Sequence, residues 1–435
     1  MKKTQETILA LSTSPGKAAI ALIRVSGEKA FSSVKAISRN MPKKPNIASF
    51  NEIITDAGMI VDQTITTYFK APKSFTGEDV VEISVHGGGA VIKKIINLLL
   101  CNKGLRLANP GEFTRRSFEN NKLDLTQVEA IADIVNAETE IQRKQAMSHL
   151  SGDFYIKTKQ IFNNLKNILA NVEAIIDFSE EELPENLLKE IKEQIENNIK
   201  LIKNTLINSS YGSSVRSGFI VAILGRPNVG KSSFINNVSQ RDISIVTNEP
   251  GTTRDIIESL IDVNGYPIRF IDTAGIRKPT STVENIGINK ALSASEEADV
   301  NIVFINNKDE VKIFSHIKNA IFVKSKQDIN NDKFKEKKYF NISSKTSYGI
   351  KMLLKEITAK IEKKNSNEHP AISRERHKKC LNDVLENLLR SKQNKTTDLF
   401  AEDVRQAVKN MSYLFGNVDI EEILDIIFSD FCIGK

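Results

Sequence analysis

"GFIVAILGRPNVGKSSFINNV", Gly218 to Val238, is the stretch from which the fold is read. Its apolar run has strand character, the loop Gly225 to Ser232 follows the spacing G-x-x-x-x-G-K-S, and the next residues are patterned as a helix. In such a loop the glycines let backbone N–H groups and the helix N-terminus surround phosphates. Lys231 then reaches the β- and γ-phosphates, and the Ser232 hydroxyl is a ligand for Mg²⁺. The run Asn228, Val229, Gly230, Lys231, Ser232 and Ser233 is therefore expected to bind nucleotide, in an α/β domain with a Rossmann-like sheet.

Four further pieces follow in order. "GTTRD" (Gly251 to Asp255) offers Thr253 as a second Mg²⁺ ligand. "IRFIDTAG" ends a strand on Asp272, beside the expected metal, and continues through Thr273 and Ala274 to Gly275, whose N–H can meet the γ-phosphate. "KSKQD" brings Lys326 and Asp328, and the Asp328 carboxylate can accept two hydrogen bonds from the N1–H and N2–H₂ edge of guanine. "ISSKT" (Ile342 to Thr346) places Ser343, Ser344 and Lys345 to close over the base. The series resembles a translation-factor-type GTPase domain. It departs from that pattern twice. Ser325 stands where such domains normally have Asn, so either guanine selectivity is weakened or the serine is a tolerated neighbour of Asp328. Ile276 stands where many GTPases carry a glutamine that orients water, so hydrolysis must be assisted otherwise. Asn228 is placed to help hold a monovalent cation, and Glu284 either positions the attacking water or is a solvated surface charge.

The bulk numbers set limits around this. The chain has 435 residues, 40% of them hydrophobic, enough for two or three domains with cores. No uninterrupted apolar run approaches the roughly 20 residues that span a bilayer. Met1 to Gly27 carries no A-x-A-like cleavage site, so a soluble, unexported, cytoplasmic protein is expected. Three scattered cysteines support neither a disulfide framework nor a zinc site. A net charge of +7 permits contact with RNA without demonstrating it.

Texture divides the chain further. Residues 1–120 carry short apolar runs such as "ILALST", "AAIALIRVSG" and "VVEISVHGGG", followed by the helical "AVIKKIINLLL": a mixed α/β domain. Residues 121–216 read as helical, with "YGSSVRSG" (Tyr211 to Gly218) as a linker. Residues 217–370 form the nucleotide domain, closed by "KNSNEHP", and 371–435 return to helix. The expected fold class is α/β plus all-α, with the phosphate-loop domain inserted into a helical one.

Outside the nucleotide domain, "ETILALSTSPGKAAIALIRVSG", "PKSFTGEDVVEISVHGGG", "NPGEFTRRSFENNKLDLTQVEAIADIV" and the terminal "FCIGK" resemble the MnmE (TrmE) family of tRNA-modification GTPases, over essentially the whole chain. The resemblance implies an N-terminal folate-binding and dimerising domain, a helical domain, and the GTPase domain inserted in it. It implies a homodimer and a complex with MnmG, an FAD- and NADH-using protein. That complex adds an aminomethyl-type group to C5 of the wobble uridine of certain tRNAs, with a tetrahydrofolate derivative donating the one-carbon unit. It also implies GTP hydrolysis that is fast only with K⁺ bound. Residue by residue, Arg24, Glu82 and Lys122, which read without the family are surface charges, match the folate positions, with Lys435 as a folate neighbour. Asn228, Thr247, Glu249 and Thr252 match the K⁺ loop, Ser232 and Thr253 the Mg²⁺ ligands, and Glu284 the water-positioning glutamate. Cys432 becomes a candidate participant in the modification, either as a nucleophile or as a buried or redox-sensitive thiol.

Rival readings make different demands. A ribosome-assembly GTPase of the Era or Der type requires an RNA-binding module after the GTPase domain, and the order here is the reverse. A folate-binding structural protein with a decayed GTPase requires loss of turnover. "HGGG" from His86 resembles an oxyanion-hole turn, but no G-x-S-x-G accompanies it, so a tight turn near the folate is expected. His149, His316, His369 and His377 lack ligand spacing and read as surface or packing residues. "SEEELPE" reads as a solvated helix end, and "RERHKK" as a helix start or a contact for tRNA phosphate. Cys432, fourth from the end, invites lipidation, but Gly434-Lys435 does not fit the prenylation pattern. The alternative there is a helix from about Asp419.

Overall fold

The computed structural model describes residues 6–177, 187–207, 209–241, 260–272, 295–329, 336, 339–363, 372–394, 396–416, 431 and 434. The chain divides into two compact units, residues 1–132 with 412–435, and residues 133–411.

The first unit is built on a sheet ordered β3-β4-β5-β2-β1-β6. Its elements are β1 (Thr7–Leu11), β2 (Ala18–Ser26), α1 (Ala30–Ala36), β3 (Ala48–Ile54), β4 (Ile60–Phe69), β5 (Val80–Gly87), α2 (Gly89–Leu100) and β6 (Leu105–Leu107), followed by α3 (Glu112–Glu119) and α4 (Leu125–Val135). Alternation decides the faces. Ala21, Ile23 and Val25 of β2 and Val81, Ile83 and Val85 of β5 form one core with Ile92, Ile95 and Leu99 of α2. Arg24 and Glu82 alternate with them and take the other face, directly opposite each other in the antiparallel register. That second face is capped by Phe113 of α3, which packs with Ile8, Ala10 and Ala108.

β3 and β4 escape a search for apolar runs because, Ile53 apart, their most buried residues are polar. Asn51, Thr64 and Thr66 are buried, and Asn51 Nδ2 donates to Thr66 Oγ1 at 3.1 Å while Thr64 Oγ1 donates to Asn51 O at 3.2 Å. Each buried polar group thus finds a partner in the neighbouring strand.

The second unit holds α5 (Glu140–Leu150), α6 (Asp153–Asp177), α7 (Leu187–Leu206) and α8 (Ser209–Ser217), then the nucleotide-type sheet. Phe154 of α6 lies between the buried His149 and His377 rings, at 5.7 and 4.9 Å, so these two histidines serve packing. The stretch read as a linker is instead mostly the helix α8. Tyr211 and Val215, four residues apart, share its buried side and join the core beneath Phe219, and that burial outweighs the small polar composition.

The sheet is ordered β12-β11-β10-β7-β9-β8. Its strands are β7 (Phe219–Gly225), β8 (Leu260–Val263), β9 (Tyr266–Asp272), β10 (Val300–Phe304), β11 (Ala320–Lys324) and β12 (Tyr339–Asn341). All pairings are parallel except β8 with β9. Helix α9 (Lys231–Arg241) follows β7, and the short α10 (Glu310–Ile313) and α11 (Ile350–Glu362) follow later. Phe234 and Val238 of α9 and Ile350, Leu353, Ile357 and Ile361 of α11, at helical spacing, close the core. Helices α12 (Glu375–Ser391) and α13 (Thr397–Phe415) complete the described chain apart from residues 431 and 434. The "RERHKK" segment is indeed a helix start, with Arg374 at the N-cap of α12.

Candidate functional site: a phosphate loop and a base-recognition turn

Because β7, β9, β10, β11 and β12 run parallel, their C-terminal ends share one edge of the sheet. β7 has β10 on one side and β9 on the other, which is the switch point where ligands bind in open α/β sheets. The loop after β7, the end of β9 at Asp272, the turn after β11 and the turn after β12 therefore converge there, although they are far apart in sequence.

The phosphate loop leaves β7 through Gly225, at φ 136°, where a Cβ would come within 2.5 Å of Phe304 O; only glycine fits. Asn228 and Gly230 also take positive φ, 59° and 104°. Lys231 opens α9 and is largely buried, and its Nζ donates to Gly225 O and Arg226 O, each at 2.8 Å, across the loop. Ser232 Oγ donates to Asp272 Oδ2 at 3.1 Å. Val229 is buried under the loop, and Ser233 is exposed in the first turn of α9.

The turn expected from sequence to read the base follows β11. Lys326 takes φ 61° and donates from Nζ to Asn228 O at 2.8 Å. Asp328 Oδ1 accepts from Ser343 Oγ at 2.7 Å, and Gln327 N donates to Ile342 O at 3.1 Å, so the two sequence-expected base segments are joined. That Ser343 hydrogen bond, then Asp328's own backbone N–H and the charge of Lys345, hold the Asp328 carboxyl below its ordinary range. Asn237 Nδ2 of α9 donates to Ser344 O at 2.7 Å, fixing the second segment against the nucleotide helix.

The other candidates form a separate cluster on β2, β5 and the segment after α3. Arg24 Nε and Nη2 both reach Glu82 Oε1, at 2.9 and 2.8 Å. The Arg24 guanidinium lies 5.5 Å from the Phe75 ring and 5.6 Å from that of Phe113. Lys122 Nζ donates to Pro72 O at 2.9 Å, so the 72–75 stretch touches both basic residues. Gly434 O accepts from Ser12 Oγ at 2.9 Å, and a Cβ on Gly434 would collide with Leu11 O at 2.3 Å.

Several sequence-expected residues lie outside the described residues: Thr247, Glu249, Thr252, Thr253 and Glu284, then Thr273, Ala274 and Gly275. Cys432, Lys435, the 364–370 linker, the "SEEELPE" run and the helix expected from Asp419 do as well. His86 lies within β5, one residue before its end, rather than in a tight turn; its Nδ1 lies 2.6 Å from Asp62 Oδ1.

Sequence reasoning overlooked a buried charge network around Arg116 of α3. Arg116, 2% exposed, donates from Nη1 to Glu78 Oε2 and from Nη2 to Glu112 Oε1, both at 3.0 Å, and to Glu6 O at 2.8 Å. Arg106 grips the same Glu112 with two bonds of 2.8 and 2.7 Å. Burial works to raise the Glu112 pKa, but the Arg106 pair, the Asn109 N–H and Arg116 outweigh it and hold the carboxyl below its ordinary value. The residues were in view within "GEFTRRSF"; a carboxylate and an arginine four apart on one helix were the available signal.

A G-x-x-x-x-G-K-S loop between strand and helix at the switch point, with the Ser232–Asp272 pair and the Asp328 turn beside it, is the arrangement of a phosphate-loop nucleotide-binding protein. Two family models match the chain: the GTP-binding protein TrmE N-terminus over residues 7–122 and the MnmE helical domain over residues 125–432. The chain is 39% identical to the tRNA modification GTPase MnmE of Wolbachia sp. subsp. Brugia malayi, over 100% of both chains. It is 37% identical to that of Dinoroseobacter shibae, over 99% of this chain and 100% of the other. Against solved structures, Era of Aquifex aeolicus bound to GDP and AlF4⁻ covers 41% of this chain and 69% of its own, at 23% identity and a TM-score of 0.26. The chain belongs to the MnmE family of tRNA modification GTPases.

Proposed function

We propose that the chain is the GTP-hydrolysing subunit of a complex with the FAD protein MnmG. The complex adds an aminomethyl or carboxymethylaminomethyl group at C5 of the wobble uridine of certain tRNAs, using a tetrahydrofolate one-carbon unit. The observation that carries this reading is the joining of phosphate loop and guanine turn, through the Lys326–Asn228 contact, in a chain matched end to end by MnmE relatives. Membership of that family makes the chain a GTP-hydrolysing enzyme; the tRNA substrate, the partner and the folate are our extension.

The chain's own groups divide the work. Asp328, aligned by Ser343, accepts the guanine N1–H and N2–H₂ protons. Lys231 and the loop N–H groups take the phosphates, stabilising charge that builds on them during transfer. Ser232 and Asp272 are oxygen donors within reach of each other, a set suited to Mg²⁺, with Thr253 as second ligand. Asn228, Thr247, Thr252 and the Glu249 carbonyl are proposed to hold K⁺. When bound, these cations neutralise phosphate charge. Glu284 is proposed to orient the attacking water. In the N-terminal unit both Arg24 bonds fall on Glu82 Oε1, which leaves Oε2 to accept from a pterin N–H edge, while Lys122 and Lys435 meet carboxylate or ring oxygens. When bound, the reduced folate supplies the one-carbon unit. Cys432 is proposed to act at that centre. The chain is proposed to work as a homodimer in the cytoplasm; among the described residues no helix is long and apolar enough to cross a membrane.

GTP turnover measured in KCl and in NaCl tests the catalytic part. Turnover several-fold faster in KCl is expected, and activity in neither salt with the dimer intact contradicts it. A Cys432→Ser variant is expected to keep GTPase activity and lose tRNA modification; full modification by that variant would remove Cys432 from the chemistry.

A further inference from the structure

Ser325 follows β11 directly, and its side chain is half-buried. Its Oγ donates to Val229 O in the phosphate loop. The next residue, Lys326, donates to Asn228 O at 2.8 Å. Two consecutive side chains of the base turn thus hold two consecutive carbonyls of the phosphate loop. The approach is close: a Cβ on Gly230 would stand 3.1 Å from Ser325 Oγ. On the other side, Asp328 is aligned by Ser343 and the turn is tied to β12 through Gln327 N and Ile342 O.

We propose that Ser325 is a positioning residue that latches the base-recognition turn to the phosphate loop, and that guanine N7 is consequently left without a side-chain donor from this position. This rests on the GTPase reading given above.

The chemistry follows from donor counting. A hydroxyl has one proton, and Ser325 gives its proton to Val229 O. Guanine N7 is an acceptor and needs a donor. Ser325 cannot serve both. With the Watson–Crick edge assigned to Asp328, any donor to N7 has to come from another group, and Ser325 has no proton left to give. An asparagine carries two N–H protons on a longer arm, so it can keep the latch and also reach N7. Replacing that asparagine by serine therefore preserves the loop geometry and confines base reading to the edge that Asp328 and its neighbours see.

The test is equilibrium binding of GTP and 7-deaza-GTP, in which N7 is a C–H, to the full-length wild-type protein, Ser325→Ala and Ser325→Asn. Wild type is expected to bind both nucleotides within about twofold. Ser325→Ala is expected to weaken both equally, by about 3- to 10-fold, the effect of one lost hydrogen bond. Ser325→Asn is expected to create a preference for GTP over 7-deaza-GTP of about fivefold or more. A wild-type preference for GTP of tenfold, or a Ser325→Ala protein that binds both as wild type does, overturns the proposal. The wild-type comparison stands even if a variant fails to fold. Absence of GTP binding by wild type would instead strike the GTPase reading itself.

Discussion

Arg116 shows how a single side chain carries a local structure. Its guanidinium is enclosed by Glu78, Glu112 and the Glu6 carbonyl, on the helix whose Phe113 ring packs near Arg24. Arg116→Met removes the cation and leaves two carboxylates around an apolar group, at a cost of about 3–5 kcal/mol, to be read from urea unfolding of the full chain. Glu112, whose carboxyl is held below its ordinary 4.5, stabilises the fold fully above that pH. Its contribution is lost as the pH falls below 4.5 towards the depressed native value, so Glu112→Gln should flatten the acid limb of the stability profile. Asp328 supports a prediction of a different kind. Asp328→Asn presents a donor where guanine has its 2-amino group and xanthine a carbonyl, so preference should move from GTP to XTP by about tenfold or more in competitive binding. The order of segments made some placements legible, since Lys231 lies across its loop, Ser232 meets Asp272 and Asp328 meets Ser343, while their roles toward a nucleotide are our proposal. The Arg116 network was legible only in part: Glu112 lies four residues away on α3, but Glu6 and Glu78 are brought to Arg116 by the tertiary fold.

At the scale of elements, the strand–loop–helix from Phe219 to Arg241 was readable because apolar run, glycine spacing and helical pattern agree. Phe234 anchors α9 between Phe270 and Phe304, each ring 5.8 Å away, and is fully buried. Phe234→Ala should cost about 3–5 kcal/mol in thermal or urea unfolding and weaken GTP binding through the displaced loop. Strands β3, β4 and β8 were missed and helix α8 was misread, for different reasons. β3 and β4 hide their core behind bonded Asn and Thr side chains, so apolar alternation fails. The β8–β9 hairpin had a plain signal, Asn264-Gly265, and both residues take the positive φ, 54° and 88°, of a two-residue turn. Helix α8 was taken for a linker because serine and glycine dominate its composition, while the deciding contacts, Tyr211 and Val215 under Phe219, are tertiary.

For the whole molecule, a strand order that places β7 between β9 and β10 brings the loop after β7, Asp272 and the Asp328 turn to one edge, and the MnmE relatives match the chain from end to end. The domain boundaries near 120, 216 and 370, and the insertion of one domain in another, remain our proposal from composition. So does the joint use of GTP, folate and tRNA by one dimer, which no single element encodes. The most direct measurement is mass spectrometry of tRNA nucleosides from the host after deletion of the gene. Complementation would use wild type or Lys231→Ala, which lacks the phosphate-loop ammonium. The account predicts that C5-methylene-modified wobble uridines vanish on deletion, return with wild type and stay absent with Lys231→Ala. Normal wobble-uridine modification in the deletion strain would contradict it.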